Sequence, residues 1–429
     1  MKLLFTLLSI GLSVSVLATD FPIKPVKNKL KFDASNGGIS LAKGFKALVV
    51  HEGVGKARHI DVAPNGDIYV KLSKLESGKG IVALRDADGD GKAEIKNLFG
   101  AYRGTGMSIH NGYLYASSDT SVYRYKMTAN GLLDDNAKAE TIVTGLKLER
   151  QHESKPVTLD DDGHLFVTFG APSNSCQETD RKTGSKGIEP CPIRDNYAGI
   201  WQFDANKLNQ KQSDGVRYAS GIRNAVALEW NKSQKQLYGL QHGRDDLHRL
   251  FPDLYTVEQS TEFPSEEFML IKKGSDFGWP YCYNDHAQNK KVTAPEYGGD
   301  GKQVSSRCEA ADKPIMAFPA HWAPNDLLFY TGNQFPAKYK NGAFVCFHGS
   351  WNRAPLKQAG YFVAFIPMGK DGKPSGNYEV FAENFAGIET VMNPSDAKAR
   401  PMGLAQSTDG SLYITDSVKG KIWRVMYDK

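Results

Sequence analysis

The chain is short of cysteine, of net charge and of long apolar runs, and each shortage removes a class of function. Its five cysteines include no Cys-x-x-Cys-His run, so no covalently attached c-type haem is expected. Lys and Arg outnumber Asp and Glu by only 53 to 48, and the resulting +5 is spread along the chain rather than gathered into a nucleic-acid reader's basic stripe. After residue 18 no stretch stays apolar for the roughly 20 residues that span a bilayer, which excludes a membrane-spanning helix. Apolar residues at helical spacing over any length are almost absent too, so an α-helical fold is not expected.

The first eighteen residues carry the only targeting signal. Lys2 supplies a positive start, Leu3 to Val16 is apolar, and Val16-Leu17-Ala18 ends in a small residue suited to cleavage. The expectation is a signal peptide over 1–18 and one mature domain over 19–429, exported to the periplasm or secreted. In an oxidising compartment five cysteines allow two disulfides and one leftover thiol. Cys176 with Cys191 and Cys282 with Cys308 each close a local loop, and Cys346, inside Ala343-Phe344-Val345-Cys346-Phe347, is expected to be a buried free thiol.

What the chain has in abundance is short β signals: runs of Val, Ile, Leu, Tyr and Phe between Gly, Asp and Asn turns. A unit recurs in which a polar residue precedes an apolar strand, then a turn, then Leu/Ile-Tyr/Phe-Val/Ile. It opens at Arg58, Arg103, His152, Arg223, His321 and Arg400, with the copy at His321 the weakest. Six copies predict an all-β, six-bladed β-propeller of four-stranded antiparallel blades. Longer intervals place inserted loops between Asn174 and Ala198 and between Gly243 and Pro319.

In a propeller the first residues of the inner strands converge on one mouth of the central channel. The converging set would be Arg58, Arg103, His152, Arg223, His321 and Arg400, with Arg353 a further candidate. Cations so crowded repel one another unless an anion neutralises them, so a small polyanion belongs there.

The motifs Gly221-Ile222-Arg223-Asn224, Gln241-His242-Gly243-Arg244-Asp245, Phe277-Gly278-Trp279-Pro280, His348-Gly349-Ser350-Trp351-Asn352-Arg353 and Arg400 ahead of Asp409-Gly410 resemble those of the soluble PQQ-dependent sugar dehydrogenases. The resemblance implies a propeller with pyrroloquinoline quinone (PQQ) over the channel mouth. It implies His152 as general base and Arg223 with Asn224 on the quinone oxygen. Arg58, Arg103, His321, His348, Arg353 and Arg400 would grip the cofactor's carboxylates or ring edge. Active-site Ca²⁺ would be held by the main-chain carbonyls of Gly243 and Arg244, with Glu266 at an acidic position near the site. The substrate would be a sugar, polyol or sugar-derived aldehyde, and electrons would leave to a separate acceptor, a cytochrome or a quinone. Two other functions suit a six-bladed propeller: a calcium-dependent lactonase or esterase, and a non-catalytic binder of glycan or protein. The first would place carboxylates where this chain has Arg and His.

A second calcium signal owes nothing to that resemblance. Asp86, Asp88, Asp90 and Glu94 stand at positions one, three, five and nine of a Gly-containing loop between two apolar strands, the spacing of a cation-binding hairpin. A structural Ca²⁺ is expected there.

Overall fold

A computed structural model describes residues 30–428; the signal peptide expected at 1–18 lies outside them. Each group of apolar runs separated by turns folds into one sheet with a four-stranded antiparallel body, giving the six blades the repeat predicts; in blades 3 and 5 a two-residue strand, Ser275–Asp276 and Ser40–Leu41, adds a fifth, the former parallel. Blade 1 runs through Ala57–Val62, Ile68–Glu76, Lys79–Arg85 and Ile95–Phe99, and blade 2 through Met107–His110, Tyr113–Ser117, Val122–Lys126 and Ala139–Val143. Blade 3 starts at Val157–Leu159, blade 4 at Ala225–Asn231, blade 5 at Pro324–Phe329 and blade 6 at Pro401–Gln406. These opening strands pack against one another round the channel. They are the strands that follow the recurring polar residues of the sequence. Among the described residues no helix is long and apolar enough to cross a membrane.

Blade 6 closes the ring. Its outer strand, Phe45–His51, comes from the N-terminal end of the described chain and pairs antiparallel with Ile422–Tyr427 at the C-terminal end. The core lies between blades, which explains strands such as Ala343–Phe347 that are apolar at every position: both faces are covered. Lining the channel, a side-chain oxygen of one blade accepts a backbone N–H of the next. Asp61 Oδ2 takes Ile109 N at 2.6 Å, Thr158 Oγ1 takes Trp230 N at 3.1 Å, and Asp326 Oδ2 takes Leu404 N at 2.7 Å. Each bond ties the inner strands of neighbouring blades together.

The longer intervals are insertions, as expected. One, at 170–198 in blade 3, is closed by the Cys176–Cys191 disulfide. Blade 4 carries two more, at 242–265 and 272–315, the second holding Cys282–Cys308. Cys346 is a buried free thiol. Glu296 joins the insertions, accepting from Ser175 Oγ at 2.8 Å and pairing with Arg244 at 2.6 Å.

Candidate active site

Four of the six inner strands break register at their first residues: Ala57/Ile60, Ala225/Ala227, Pro324/Asp326 and Pro401/Leu404. A bulge at a strand's end re-aims its side chains, and here the bulges ring one mouth of the channel. His152 and His321, which precede inner strands, add left-handed backbone with φ of 53° and 65°. The backbone can turn so sharply at His152 because Gly170 lies against it: a Cβ on Gly170 would sit 2.5 Å from the His152 carbonyl oxygen.

These side chains face a cavity of about 460 Å³. Of the expected site residues, the structure brings Arg58, His152, Arg223, Asn224, Gly243, Glu266, His321, His348 and Arg400 to its wall. Three others stand elsewhere, each held by an acid that no local pattern reveals. Arg103 lies four residues before its strand and is half exposed, 3.1 Å from Asp119 and Glu153. Arg353 is buried, donating to the carbonyls of Thr261 and Ala320 and pairing with Glu262. The Arg244 side chain is buried against Glu296.

Arg58 and Arg400 are the cations left over. Arg58 donates to Thr105 Oγ1 at 3.1 Å and Ser154 Oγ at 3.3 Å, and Arg400 to the carbonyls of His348 and Gly349; neither makes an ion pair among the described residues. Burial pushes Arg58 down to about 10 against the pull of Asp119, and Arg400 nearby adds to the fall. Burial lowers Arg400 as well. Arg223 differs, since its guanidinium is ion-paired to Asp245 Oδ2 at 2.5 Å and donates also to Asn174 Oδ1 at 3.0 Å and, through one Nη1 hydrogen, to Gly243 O at 2.9 Å.

Burial lowers His152 and His348, and their hydrogen bonds fix the tautomers. His152 donates from Nδ1 to Ala171 O at 2.6 Å, which leaves the lone pair on Nε2, an atom with no protein partner among the described residues. Burial, helped by Arg223, lowers His152 to about 3. His348 donates from Nε2 to Ser417 Oγ at 2.7 Å and accepts Arg400 on Nδ1, while burial drives it well below its ordinary value.

Would the residues present fit a tricarboxylate and a hard cation? Guanidinium groups withdrawn from water without a counter-anion are costly, and planar carboxylates would relieve them. Glu266 makes the complementary case. Its carboxyl is 1% exposed, accepts the Gly243 and Ala323 N–H groups at 3.3 and 3.4 Å, and is pushed by burial up to about 8. On the same wall the Gly243 carbonyl, which accepts from Arg223, offers a second hard oxygen. Both groups fit.

A family model described as TrAA12-like matches residues 39–428. The chain belongs to the TrAA12-like family. It is 23% identical over 422 residues to a curated pyrroloquinoline quinone-dependent pyranose dehydrogenase of Coprinopsis cinerea, with 90% of the chain aligned, and spans about half (54%) of that relative's length. Among solved structures it resembles the holo form of the pyranose dehydrogenase PQQ domain from Coprinopsis cinerea, with a TM-score of 0.71 at 19% identity over 93% of this chain and 98% of that one. It also resembles a calcium structure of the Trichoderma reesei family AA12 enzyme, with a TM-score of 0.72 at 18% identity over 93% and 98% of the two chains. These likenesses agree with the six-bladed fold and with the resemblance read from the motifs.

Sequence reasoning missed the acid at the hub of this TrAA12-like site. Asp245 is buried and holds Arg223, Arg181 at 3.0 Å and Asn352 at 2.7 Å. Burial alone would raise its carboxyl, but Arg223, His321 and Arg181 hold it well below the usual carboxylate range. It stood inside the quoted Gln241–Asp245 motif, so a signal existed. Arg181 had none, since it arrives from the disulfide-closed insertion. His242 was visible only as a departure from the motif; it donates from Nε2 to the Pro324 carbonyl at 3.1 Å and to Asn325 Oδ1 at 3.0 Å.

The hairpin acids of blade 1 converge as well: ligand oxygens of Asp86, Asp88, Asp90 and Glu94 lie within 4.8 Å of one another. Asp86 accepts the N–H groups of Gly89 and Gly91 at 2.6 and 2.8 Å, which folds the loop round its own carboxylates. None of the four lines the cavity.

Proposed function

We propose that this protein is an exported quinoprotein dehydrogenase that oxidises a sugar, or a related polyol or aldehyde. The observation that carries the proposal is the pairing, in one cavity, of two partly buried guanidinium groups lacking carboxylate partners with a histidine whose Nε2 carries a free lone pair. The relatives named for PQQ-dependent pyranose oxidation and the solved PQQ domain support it.

Arg58 and Arg400 would hold carboxylates of PQQ, with His348 orienting Arg400 through Nδ1. Gly243 O and Glu266 would hold Ca²⁺, and the calcium structure of a neighbour supports that choice of ion. When bound, PQQ supplies an ortho-quinone that takes up the hydride equivalent from the substrate carbon. The protein's share is the proton: His152 Nε2 accepts it from the substrate hydroxyl, while Nδ1–H remains bonded to Ala171 O so that the ring keeps its orientation. Arg223 and Asn224 stand at the same wall as hydrogen-bond donors toward developing negative charge, and Asp245 fixes Arg223 in place. A separate carrier, a cytochrome or a quinone, would take the electrons away.

The signal peptide at 1–18 and a single propeller over 19–429 are part of the same proposal, which two disulfides support. So is a structural Ca²⁺ held by Asp86, Asp88, Asp90 and Glu94, supported by their converging oxygens. The deciding experiment is reconstitution of the purified protein with PQQ and Ca²⁺, followed by a screen of aldoses, polyols and sugar aldehydes for dye reduction. Sugar-dependent reduction that requires PQQ is expected. Lactone hydrolysis without PQQ, and no dye reduction with it, would replace this proposal with a hydrolase.

A further inference from the structure

Trp351 is 65% exposed, whereas Trp201, Trp279 and Trp423 are no more than 5% exposed and Trp230 and Trp322 are partly buried. The one indole left in water stands on the wall of the cavity just described. A lone exposed apolar side chain needs no explanation in general. What sets this one apart is how firmly its backbone is held.

The residues that follow it are pinned. Asn352 donates its backbone N–H to Ser350 Oγ at 3.2 Å and its side-chain amide to Asp245 Oδ1 at 2.7 Å. Arg353 is tied to the carbonyls of Thr261 and Ala320 at 3.0 and 2.9 Å, and the Trp351 carbonyl accepts Ala354 N at 3.3 Å. The indole is therefore presented on a fixed loop, so a ligand that stacks on it does not have to order the loop first. Arg150, exposed and without an ion pair among the described residues, lines the same cavity, as does Gln151, whose amide bonds Asp180 and Arg181. An apolar plate flanked by planar polar groups matches a pyranose, whose ring has an apolar C–H face and a rim of hydroxyls.

Space decides which ring would lie there. A cavity of about 460 Å³ has to take a tricyclic cofactor and the ring that reacts, so a second ring must project from the opening, toward the exposed indole. We infer that Trp351 is the stacking platform for the second ring of an oligosaccharide substrate, a specificity determinant that rests on the sugar-oxidising function proposed above.

The test uses the full chain reconstituted with PQQ and Ca²⁺, with glucose and cellobiose as paired probes. Trp351→Ala is expected to lower the ratio of kcat/KM for cellobiose to that for glucose about 5-fold, through KM, and Trp351→Phe to restore most of it. Saturation-transfer NMR supplies a readout apart from turnover: saturation reaching the non-reducing ring of cellobiose should appear with the unaltered protein and vanish in Trp351→Ala. An unchanged ratio, or an unaltered enzyme that oxidises glucose but not cellobiose, overturns the inference and leaves the sugar-oxidising function standing. Failure to oxidise either sugar with PQQ present overturns the inference, and failure with every sugar, polyol and aldehyde of the reconstitution screen removes both.

Discussion

At the scale of single residues, the site works by denying side chains their usual solvent. His152 is the clearest case, because burial and the Arg223 charge lower it from 6.5 to about 3 while the Ala171 carbonyl fixes its tautomer. A depressed histidine is neutral above its pKa, so a proton acceptor at His152, as proposed, would stay competent as pH falls from neutral to about 4. The acid limb of kcat/KM should therefore lie well below the midpoint near 6.5 of an ordinary histidine, and a limb at that midpoint would show that the ring is not held neutral. His152→Ala is expected to cut kcat by about 100-fold or more while leaving the PQQ titration intact. Arg400→Ala should do the reverse, raising the cofactor's Kd about tenfold and slowing the saturated enzyme less. Turnover that survives in His152→Ala removes it as the base.

At the scale of elements, loops carry much of the candidate site and blades hold the loops. The blade pattern was legible because an inner strand needs a polar opening residue, an apolar run and a turn, all adjacent in sequence. The residues that do not reach the cavity were not legible, since what captures them is remote: Asp119 beside Arg103, Glu262 beside Arg353 and Glu296 beside Arg244. Arg181 illustrates the converse, a cation carried into the site by an insertion whose path no repeat dictates. The blade 1 hairpin is an element whose role is separable from these. Four acidic side chains converge there, and Asp86 is raised by burial ahead of the effects of Glu94 and Asp90 beside it. A cation bound only by the folded hairpin stabilises it by mass action, roughly 2.7 kcal/mol at a hundredfold excess over Kd. Adding Ca²⁺ to chelator-treated protein without PQQ should raise Tm by several degrees, and Asp90→Asn should abolish most of that rise. A rise of the same size in Asp90→Asn would assign the stabilising ion to the cavity instead.

At the scale of the whole molecule, a ring of blades is only as stable as its closure, because an open ring leaves two sheet edges unpaired. Here the closure is blade 6, where Phe45–His51 from one end of the chain locks onto Ile422–Tyr427 from the other. Trp423 sits at that junction, 1% exposed, packed edge-on against Phe385 at 5.2 Å and donating its indole N–H to Gly37 O at 3.2 Å. The same blade delivers Arg400 to the cavity, so closure and the proposed cofactor grip share one sheet. They occupy opposite sides of it: Arg400 precedes the inner strand, whereas Trp423 lies on the third strand, next to the outermost. A cavity left by Trp423→Ala should cost about 3–5 kcal/mol, a fall of several degrees in Tm, without moving the guanidinium. At a temperature where the variant remains folded, its PQQ affinity should stay within about twofold of the unaltered protein. If affinity falls in step with stability instead, the ring's closure is being felt at its mouth, and cofactor binding would then be coupled to the fit between the two ends of the chain.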